Sequence, residues 1–507
     1  MTEDLALQVR KQVETSEGSG EFRPVIAEEK WKPSETAVII CDMWNEHWCK
    51  GATRRVAEMA PRMNQFVGVA REKGALIVHA PSGTIDHYKD HPARKRAQNA
   101  PKAADLPEGI AGGCGWIDEK EEKAGLPVDA SDGGCDCEPQ CKHPPYPWTQ
   151  QIDTIDIRDE DAITDSGVEA WNLFAERGIR NVILVGVHTN MCVVGRPFGL
   201  RNMARFGKNV VLVRDLTDTM YNPRKAPFVS HFTGTDLIVE HIEKYICPTI
   251  ASTALLGGTP FHLPNDARPR VVFVISEDEY RAAETLPRLA RDLELECGLA
   301  CEALHGNPKD GNDVPGMEAL ADADLAVLFL RRRALPADQL RRIRDYLNRG
   351  KPLVALRTTS HGFDVGGRAP EGREEWRNFD SEALGGHYGG HHDGSLVAQV
   401  SLATGAGDHP ILKGFPAGGI KSGGSLYRSN PLTPTAQALL MGTVEGHPSE
   451  PALWTNAYQT SRVVYTSLGH PKDFENEAFR ALLIRAFFWA MDRPAPGESA
   501  DAKSAGP

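Results

Sequence analysis

Short apolar runs alternate with helical segments along this chain, and no other sequence feature constrains the fold as strongly. In the first half the runs occupy residues 37–41, 75–80, 182–187 and 210–213. Continuous runs of this kind are typical of strands buried on both faces of a parallel sheet. The same alternation restarts at residue 270 and continues to the last run at 462–466. The pattern predicts the α/β class, with two doubly wound, three-layer α/β/α domains whose sheets are mostly parallel.

Changes in composition mark the boundaries of these two domains. Residues 1–34 are polar and are interpreted as an N-terminal arm before a first domain at 35–250. A stretch rich in glycine and cysteine, 102–147, interrupts the alternation and is interpreted as an insertion. The boundaries of the remaining segments are a linker at 251–269, a second domain at 270–494 and a tail at 495–507 that is predicted to be disordered.

The net charge of the chain argues against some classes of binding partner. The chain carries 57 basic and 69 acidic residues, a net charge of −12. Such an acidic chain is not expected to bind nucleic acid or an anionic membrane, and no apolar run is long enough to predict a membrane span. The first residues lack the apolar core of a secretory signal, so a cytoplasmic location is expected. A small-molecule substrate is the expected partner, and a homo-oligomer is left open.

Asp42 and Cys192 are the first candidate site. Each directly follows an apolar run, and ligands bind at the carboxyl ends of strands in open α/β sheets. A cysteine at a strand-to-helix turn is expected to have a lowered thiol pKa, and an aspartate across the crevice can accept its proton. The alternative is a buried, inert cysteine beside a solvated aspartate.

Three motifs around these residues carry a family resemblance: AVIICDMWNEHW, ALIVHAPSGT and GVHTNMCV. With them the first domain resembles the isochorismatase-like cysteine hydrolase superfamily, which includes nicotinamidases and N-carbamoyl amide hydrolases. The resemblance implies that Cys192 is the nucleophile and Asp42 the base. It also implies an oxyanion hole at the backbone of Met191 and Cys192, and a cis peptide between His188 and Thr189.

One catalytic residue of that family has no counterpart. The segment where the family carries a lysine reads IDIRDEDAITDSGVEAWNLF here and contains none. Arg158 lies in this segment, but an arginine stays protonated and cannot shuttle a proton. Three hypotheses therefore remain. The first domain hydrolyses an amide or related C–N bond through an acyl-enzyme on Cys192, it binds a ligand without catalysis while the second domain carries the activity, or the fusion only assembles oligomers.

Two segments of the first domain contain metal-ligand residue types. The loop after the second apolar run offers Asp86, His87 and His91, and a polar loop without metal is the favoured interpretation there. The insertion groups four cysteines, for which a zinc site, disulfides and a simple lid remain equal alternatives. These cysteines are Cys114, Cys135, Cys137 and Cys141.

The second domain contains a series of glycine-flanked histidines in LGGHYGGHH, GDHPILKGF and SLGHPKDF. With this order it resembles the ThuA-like (trehalose utilisation) family, whose fold is that of class I glutamine amidotransferases. The elbow LRTTSHGF lacks the nucleophilic cysteine of amidotransferases, so that chemistry is not expected. The resemblance implies a sugar-related ligand and a role in carbohydrate metabolism; hydrogen-bonded structural histidines and a divalent metal are the alternatives. The candidate ligand residues are Arg357, His361, His387, His391, His392 and His470.

Overall fold

The computed structural model describes residues 3–16 and 18–497, and it divides between Ala267 and Arg268 into two compact units. This division falls in the segment 251–269 that was interpreted as a linker. The tail prediction at 495–507 lies outside the described residues from 498 onward.

The first unit alternates strands and helices. Its strands are β1 (Leu5–Glu14), β2 (Phe22–Trp31), β3 (Thr36–Cys41), β4 (Leu76–Ala80), β5 (Ala162–Ile163), β6 (Asn181–Val187), β7 (Asn209–Asp218) and β8 (Thr249–Ile250). Its helices are α1 (Lys50–Lys73), α2 (Pro92–Asn99), α3 (Glu119–Ala124), α4 (Gly167–Arg177), α5 (Leu200–Arg205), α6 (His231–Tyr245) and α7 (Thr253–Leu256).

The eight strands form one sheet in the order β2-β1-β8-β7-β6-β3-β4-β5, and β8 through β5 are parallel. Alternate residues of β3 enter two separate cores. Val38 and Ile40 pack in a core with Phe66 of α1, and Ile39 packs on the opposite face in a core with Phe174 of α4. Helices therefore cover both faces, as the runs buried on both sides predict. The α/β class with mostly parallel sheets is confirmed.

Residues 1–34 differ from the predicted arm. Strands β1 and β2 form an antiparallel hairpin, and β1 joins the sheet through β8. Leu5, Leu7 and Val9 are buried while the residues between them are exposed. This alternation is the pattern of a strand with one buried face, and the polar residues on the other face concealed it.

The second unit continues the numbering. Its strands are β9 (Arg270–Ser276), β10 (Ala300–His305), β11 (Leu325–Leu330), β12 (Leu335–Pro336), β13 (Leu353–Leu356), β14 (Arg373–Glu374), β15 (Gln399–Leu402), β16 (Ile420–Lys421), β17 (Gln437–Thr443), β18 (Glu450–Tyr458) and β19 (Ser461–Thr466). Its helices are α8 (Ala282–Glu296), α9 (Ala337–Asn348), α10 (Pro471–Phe474) and α11 (Glu477–Ala490).

The main sheet of this unit has the order β10-β9-β11-β13-β19-β18-β17-β15-β16. It is parallel from β10 to β19 and antiparallel from β19 to β16. The antiparallel strands before β19 lie in the histidine-bearing region, where the sequence pattern did not predict them. Helices α8 and α11 pack with β9, β11 and β13 in a single core. In the part of the chain that is described, no helix is long and apolar enough to cross a membrane.

Candidate active site

Asp42 and Cys192 lie at the carboxyl ends of the neighbouring strands β3 and β6. Asp42 adopts a left-handed backbone conformation (φ 49°), and its buried carboxylate accepts a hydrogen bond from the Ser82 amide at 2.8 Å. Cys192 is partly buried in the helical turn Thr189–Val193, and its thiol interacts with the Asp42 carboxylate. The structure thus brings the two residues of the predicted pair into contact.

A third residue of this site, Arg196, was missed by the sequence analysis. Its guanidinium contacts the Asp42 carboxylate at 3.0 Å through Nη2 and at 3.1 Å through Nε. Arg158, in the segment where a lysine was sought, lies at the surface, 3.9 Å from Glu160. Arg196 follows Cys192 by four residues, a spacing that places two side chains on one face of a helical turn. This spacing was the sequence signal that could have identified Arg196 as a site residue.

The pKa of the Cys192 thiol differs from the value expected from the sequence. Burial raises the pKa of Asp42, while Arg196 and hydrogen bonds from Cys192 and Ser82 oppose the rise. Burial and then the neighbouring Asp42 charge raise the pKa of Cys192 to about 12. The prediction of a lowered thiol pKa was therefore wrong, because desolvation and a facing carboxylate outweigh the short helical turn. The resting site pairs a neutral thiol with a carboxylate that is balanced by Arg196.

The loop before Cys192 also departs from what the resemblance implies. The cis peptide lies between Val187 and His188, one residue earlier than predicted. The Met191 amide, implied as an oxyanion donor, donates to the His188 carbonyl at 3.0 Å in this structure. The Thr189 hydroxyl hydrogen-bonds to that of Thr217 at 2.7 Å, so its side chain belongs to the core.

Aromatic and imidazole rings lie beside the acid and the thiol. Trp44 stacks on Trp148 with 4.4 Å between ring centroids, and the His47 ring lies 4.8 Å from that of His188. Burial, followed by the charge of His47, lowers the pKa of His188 to about 3, so this ring is neutral. Among the described residues no group hydrogen-bonds to the buried Nε2 of His188. His188 therefore has a buried ring nitrogen without a hydrogen-bond partner among the described residues.

The loop residues Asp86, His87 and His91, offered as weak metal-ligand candidates, do not belong to a metal-sized cluster in the described part of the chain. Asp86 and His87 are exposed, and Nδ1 of His91 accepts a hydrogen bond from the Ala93 amide at the start of α2. Within the described ranges, the one group of three or more ligand side chains close enough for a metal ion is Cys49, Cys135 and Cys137. Neither this loop nor the histidines of the second unit contribute to it.

The cysteines of the insertion separate in the structure. Cys114 lies apart from the cluster, and its thiol donates to the Trp116 carbonyl at 3.0 Å. Cys49, at the start of α1, takes the place in the cluster that the sequence analysis assigned to Cys114. Cys114 is separated from the other cysteines because the second half of the insertion folds against the N-terminus of α1, whereas Cys114 packs beside Gly195.

In the second unit, Arg357 is buried between two tyrosines directly after β13. Its guanidinium lies 4.1 Å from the ring centroid of Tyr280 and 4.7 Å from that of Tyr427, and Nη1 donates to the Ser467 carbonyl at 2.7 Å. Its Nε is buried and has no hydrogen-bond partner in the described part of the chain. Arg357 is thus held rigidly at the carboxyl end of the sheet.

His361 lies close to this arginine and is stacked on Tyr388 with 4.2 Å between centroids. Burial, then the positive charges of Arg332, Arg331 and Arg357, lower the pKa of His361 to about 3. Arg332 is exposed, and no ion pair to it occurs among residues 3–16 and 18–497. The arginine charge around this neutral imidazole favours negatively charged groups at this position.

The remaining candidate histidines divide between this site and its surroundings. The His470 ring lies 6.0 Å from Tyr280 and caps α10, and the His391 ring lies 6.4 Å from Tyr427. His387 is exposed and hydrogen-bonds to the Pro431 carbonyl, and His392 pairs with His447. The structure therefore gathers Arg357, His361, His391 and His470 around the tyrosines and places His387 and His392 in contacts of their own.

Comparisons with known proteins bear on both units. Residues 307–490 match the family model described as ThuA, trehalose utilisation, which confirms the resemblance of the second domain. No curated protein matches the chain.

Solved structures with similarity include a ThuA-like protein from Parabacteroides merdae, 17% identical with a TM-score of 0.34, covering 46% of this chain and 93% of that one. They also include a cysteine hydrolase from Pseudomonas syringae pv. phaseolicola, 16% identical with a TM-score of 0.27, covering 44% of this chain and 92% of that one. An isochorismatase family protein from Desulfovibrio vulgaris is 13% identical with a TM-score of 0.22, covering 41% of this chain and 89% of that one.

Proposed function

We propose that the first unit is a cysteine hydrolase that cleaves an amide or related C–N bond of a small molecule. The observation that carries the proposal is the contact of the Cys192 thiol with the buried Asp42 carboxylate, which Arg196 approaches to 3.0 Å. A nucleophile hydrogen-bonded to a base that is itself oriented by a third group is the general arrangement for nucleophilic catalysis.

The proton of Cys192 moves between two groups in this mechanism. As the Sγ–carbon bond forms at the substrate carbonyl, Asp42 takes the thiol proton, and it returns that proton to the leaving nitrogen as the C–N bond breaks. Water then attacks the thioester, with Asp42 again accepting a proton and restoring it to Sγ when the acid leaves. Burial raises the pKa of Asp42, which makes its carboxylate a stronger base for the thiol proton than an exposed aspartate.

Arg196 supplies charge and does not carry a proton. Proton transfer from Cys192 to Asp42 leaves the net charge of the site unchanged, since one anion replaces the other beside the same guanidinium. Arg196 therefore stabilises the thiolate as it forms. It supplies the positive charge of the lysine found in the cysteine hydrolase family, but it cannot transfer a proton as that lysine can. The neutral His188 offers its unpartnered Nε2 to a polar group of the substrate.

The test is ammonia release from a panel of small primary amides and N-carbamoyl compounds, incubated with the full-length protein. At least one class is expected to be turned over with saturation kinetics, with an activity that a thiol-alkylating reagent removes. Turnover that survives complete alkylation of Cys192 would contradict the proposal, and so would a panel in which no amide is cleaved.

A second candidate function belongs to the second unit, for which we propose binding of a sugar that carries an anionic group. The supporting observation is the tyrosine-flanked Arg357 beside His361 and the exposed Arg332. Aromatic faces suit the apolar face of a sugar ring, and arginines suit carboxylate or phosphate.

Replacing Arg332 by alanine is expected to weaken binding of a sugar acid or sugar phosphate about tenfold, which is about 1.4 kcal/mol. The measurement is calorimetric titration with glucuronate, glucose 6-phosphate and trehalose. The matched control is Arg342→Ala, because Arg342 is exposed on α9 of the same unit and should leave the affinity unchanged. Binding of trehalose alone, with equal affinity in the wild type and Arg332→Ala, would refute the anionic part of the proposal.

A further inference from the structure

Four cysteines converge at the N-terminus of α1, outside the site of Asp42 and Cys192. The sulfurs of Cys49, Cys135 and Cys137 all lie within 4.8 Å of one another, and Sγ of Cys49 is 3.8 Å from Sγ of Cys137. Cys141 lies next to this group, because its sulfur, like that of Cys137, accepts a hydrogen bond from an amide at the start of α1. A tetrahedral zinc ion with bonds of ~2.3 Å to sulfur requires its sulfurs to lie ~3.8 Å apart. The sulfurs of Cys49, Cys135 and Cys137 therefore have the spacing of metal ligands, and Cys141 is the neighbouring thiol available as a fourth ligand.

The surrounding backbone favours negative sulfur. The Gly51 amide donates to Sγ of Cys137 at 3.2 Å, and the Lys50 amide donates to Sγ of Cys141 at 3.5 Å. These are the first amides of a 24-residue helix, whose N-terminus favours negative charge. Amide hydrogen bonds to the ligand atoms are the second-shell contacts that orient metal ligands. The cluster thus has ligand spacing and compensating donors, two independent properties of a thiolate site.

The ligands come from two distant parts of the chain. Cys49 belongs to the segment between Asp42 and α1, whereas the other three belong to the insertion, where Cys137 and Cys141 have three residues between them. This last spacing falls within the range of zinc sites, although only one residue separates Cys135 from Cys137. Asp136, between two of the ligands in sequence, accepts a hydrogen bond from Sγ of Cys49 at 3.7 Å, and Arg55 neutralises this carboxylate at 2.6 Å.

We propose that Cys49, Cys135, Cys137 and Cys141 bind one Zn²⁺ ion as a tetrathiolate. Four protein ligands leave no open position, so the ion has a structural role. On binding, the four thiols release their protons and the site carries a charge of −2. The ion links the insertion to the segment that follows Asp42. This link fixes the positions of Trp48 and of the loop that ends in Trp148. The proposal is independent of the hydrolase function, because it concerns metal content and folding.

The first test is the metal content of the full-length protein purified under reducing conditions without added metal. Elemental analysis is expected to give about one zinc per chain, falling to below about a tenth in Cys137→Ser. Cys114→Ser is the matched control, since Cys114 is a buried cysteine of the same insertion and lies outside the cluster. Zinc retained by Cys137→Ser or lost from Cys114→Ser would overturn the assignment of ligands.

A second measurement uses the wild-type chain alone and covers the case in which Cys137→Ser fails to fold. Chelator-treated protein loaded with Co²⁺ is expected to show the intense visible bands of tetrahedral cobalt and the near-ultraviolet charge transfer of cobalt thiolate. Chelation is expected to lower the melting temperature and to expose four further thiols to a thiol reagent. Iron in place of zinc, an octahedral cobalt spectrum, or an intact mass lowered by two hydrogens per disulfide would each overturn the proposal.

Discussion

Cys192→Ala is expected to hydrolyse amides at least about 10³-fold more slowly than the wild type, with equal reductions in kcat and kcat/KM. The reason is that the thiol forms the bond to the carbonyl carbon, so its removal eliminates the acyl-enzyme route. Asp42 and Arg196 remain as an ion pair in the variant and preserve the local charge balance. Steady-state ammonia release measures the effect.

The control for this variant is Cys247→Ala, which removes a buried thiol of the same unit just before β8, at the amino end of the parallel strands and therefore at the edge opposite Asp42. It should retain near-wild-type rates. If Cys192→Ala kept more than about a tenth of the activity while remaining folded, the nucleophile assignment would be wrong. Activity would then have to be sought at another residue.

Arg196→Met is expected to reduce kcat/KM by about 10²-fold, the typical cost of one removed electrostatic contact at a reacting centre. Asp42 is fully buried, and Arg196 is the cation that opposes the rise of its pKa. Without that cation the pKa of Asp42 rises further. Since Asp42 acts as a base only when deprotonated, the acidic limb of the kcat/KM profile should move to higher pH.

Arg196→Lys separates charge from geometry in the same experiment. A lysine keeps the positive charge and loses the two-nitrogen contact, so it should restore the acidic limb toward its wild-type position and recover part of the rate. The measurement is kcat/KM from about pH 4 to pH 9, a span that covers the ordinary carboxyl range and the values above it. Identical pH profiles for the wild type and Arg196→Met would show that Arg196 does not act on Asp42.

The sequence predicted the strands and the pair of Asp42 and Cys192 because both depend on local pattern. A continuous apolar run predicts a buried strand without knowledge of its neighbours, and the residue after it is at the carboxyl end of the sheet. Strands β15 and β16 and the hairpin of β1 and β2 lack such runs. Strand β1 joins the sheet through β8, and β15 pairs with β17, so these strands are placed by partners distant in sequence, which local pattern does not reveal.

The errors in the predicted site residues have the same cause. Arg196 was overlooked because a cation was sought before β6, and only the fold shows that a residue after Cys192 reaches Asp42. Cys49 is separated from Cys135 by the length of α1 and much of the insertion, so spacing alone favoured Cys114. The thiol pKa was misjudged because helix position is visible in sequence whereas desolvation is a property of the packed site.

Detection of the acyl-enzyme on Cys192 tests the central claim most directly. The protein is mixed with a slowly hydrolysed amide from the panel, quenched in acid during turnover and digested with trypsin. Residues 181–201 are expected as one peptide, because Arg196 precedes a proline, and Cys192 is its only cysteine. The account predicts that this peptide gains the mass of the acyl group as a hydroxylamine-sensitive thioester, and that Cys192→Ala shows no adduct. Turnover with an unmodified peptide 181–201, or an acyl group on another residue, would contradict it.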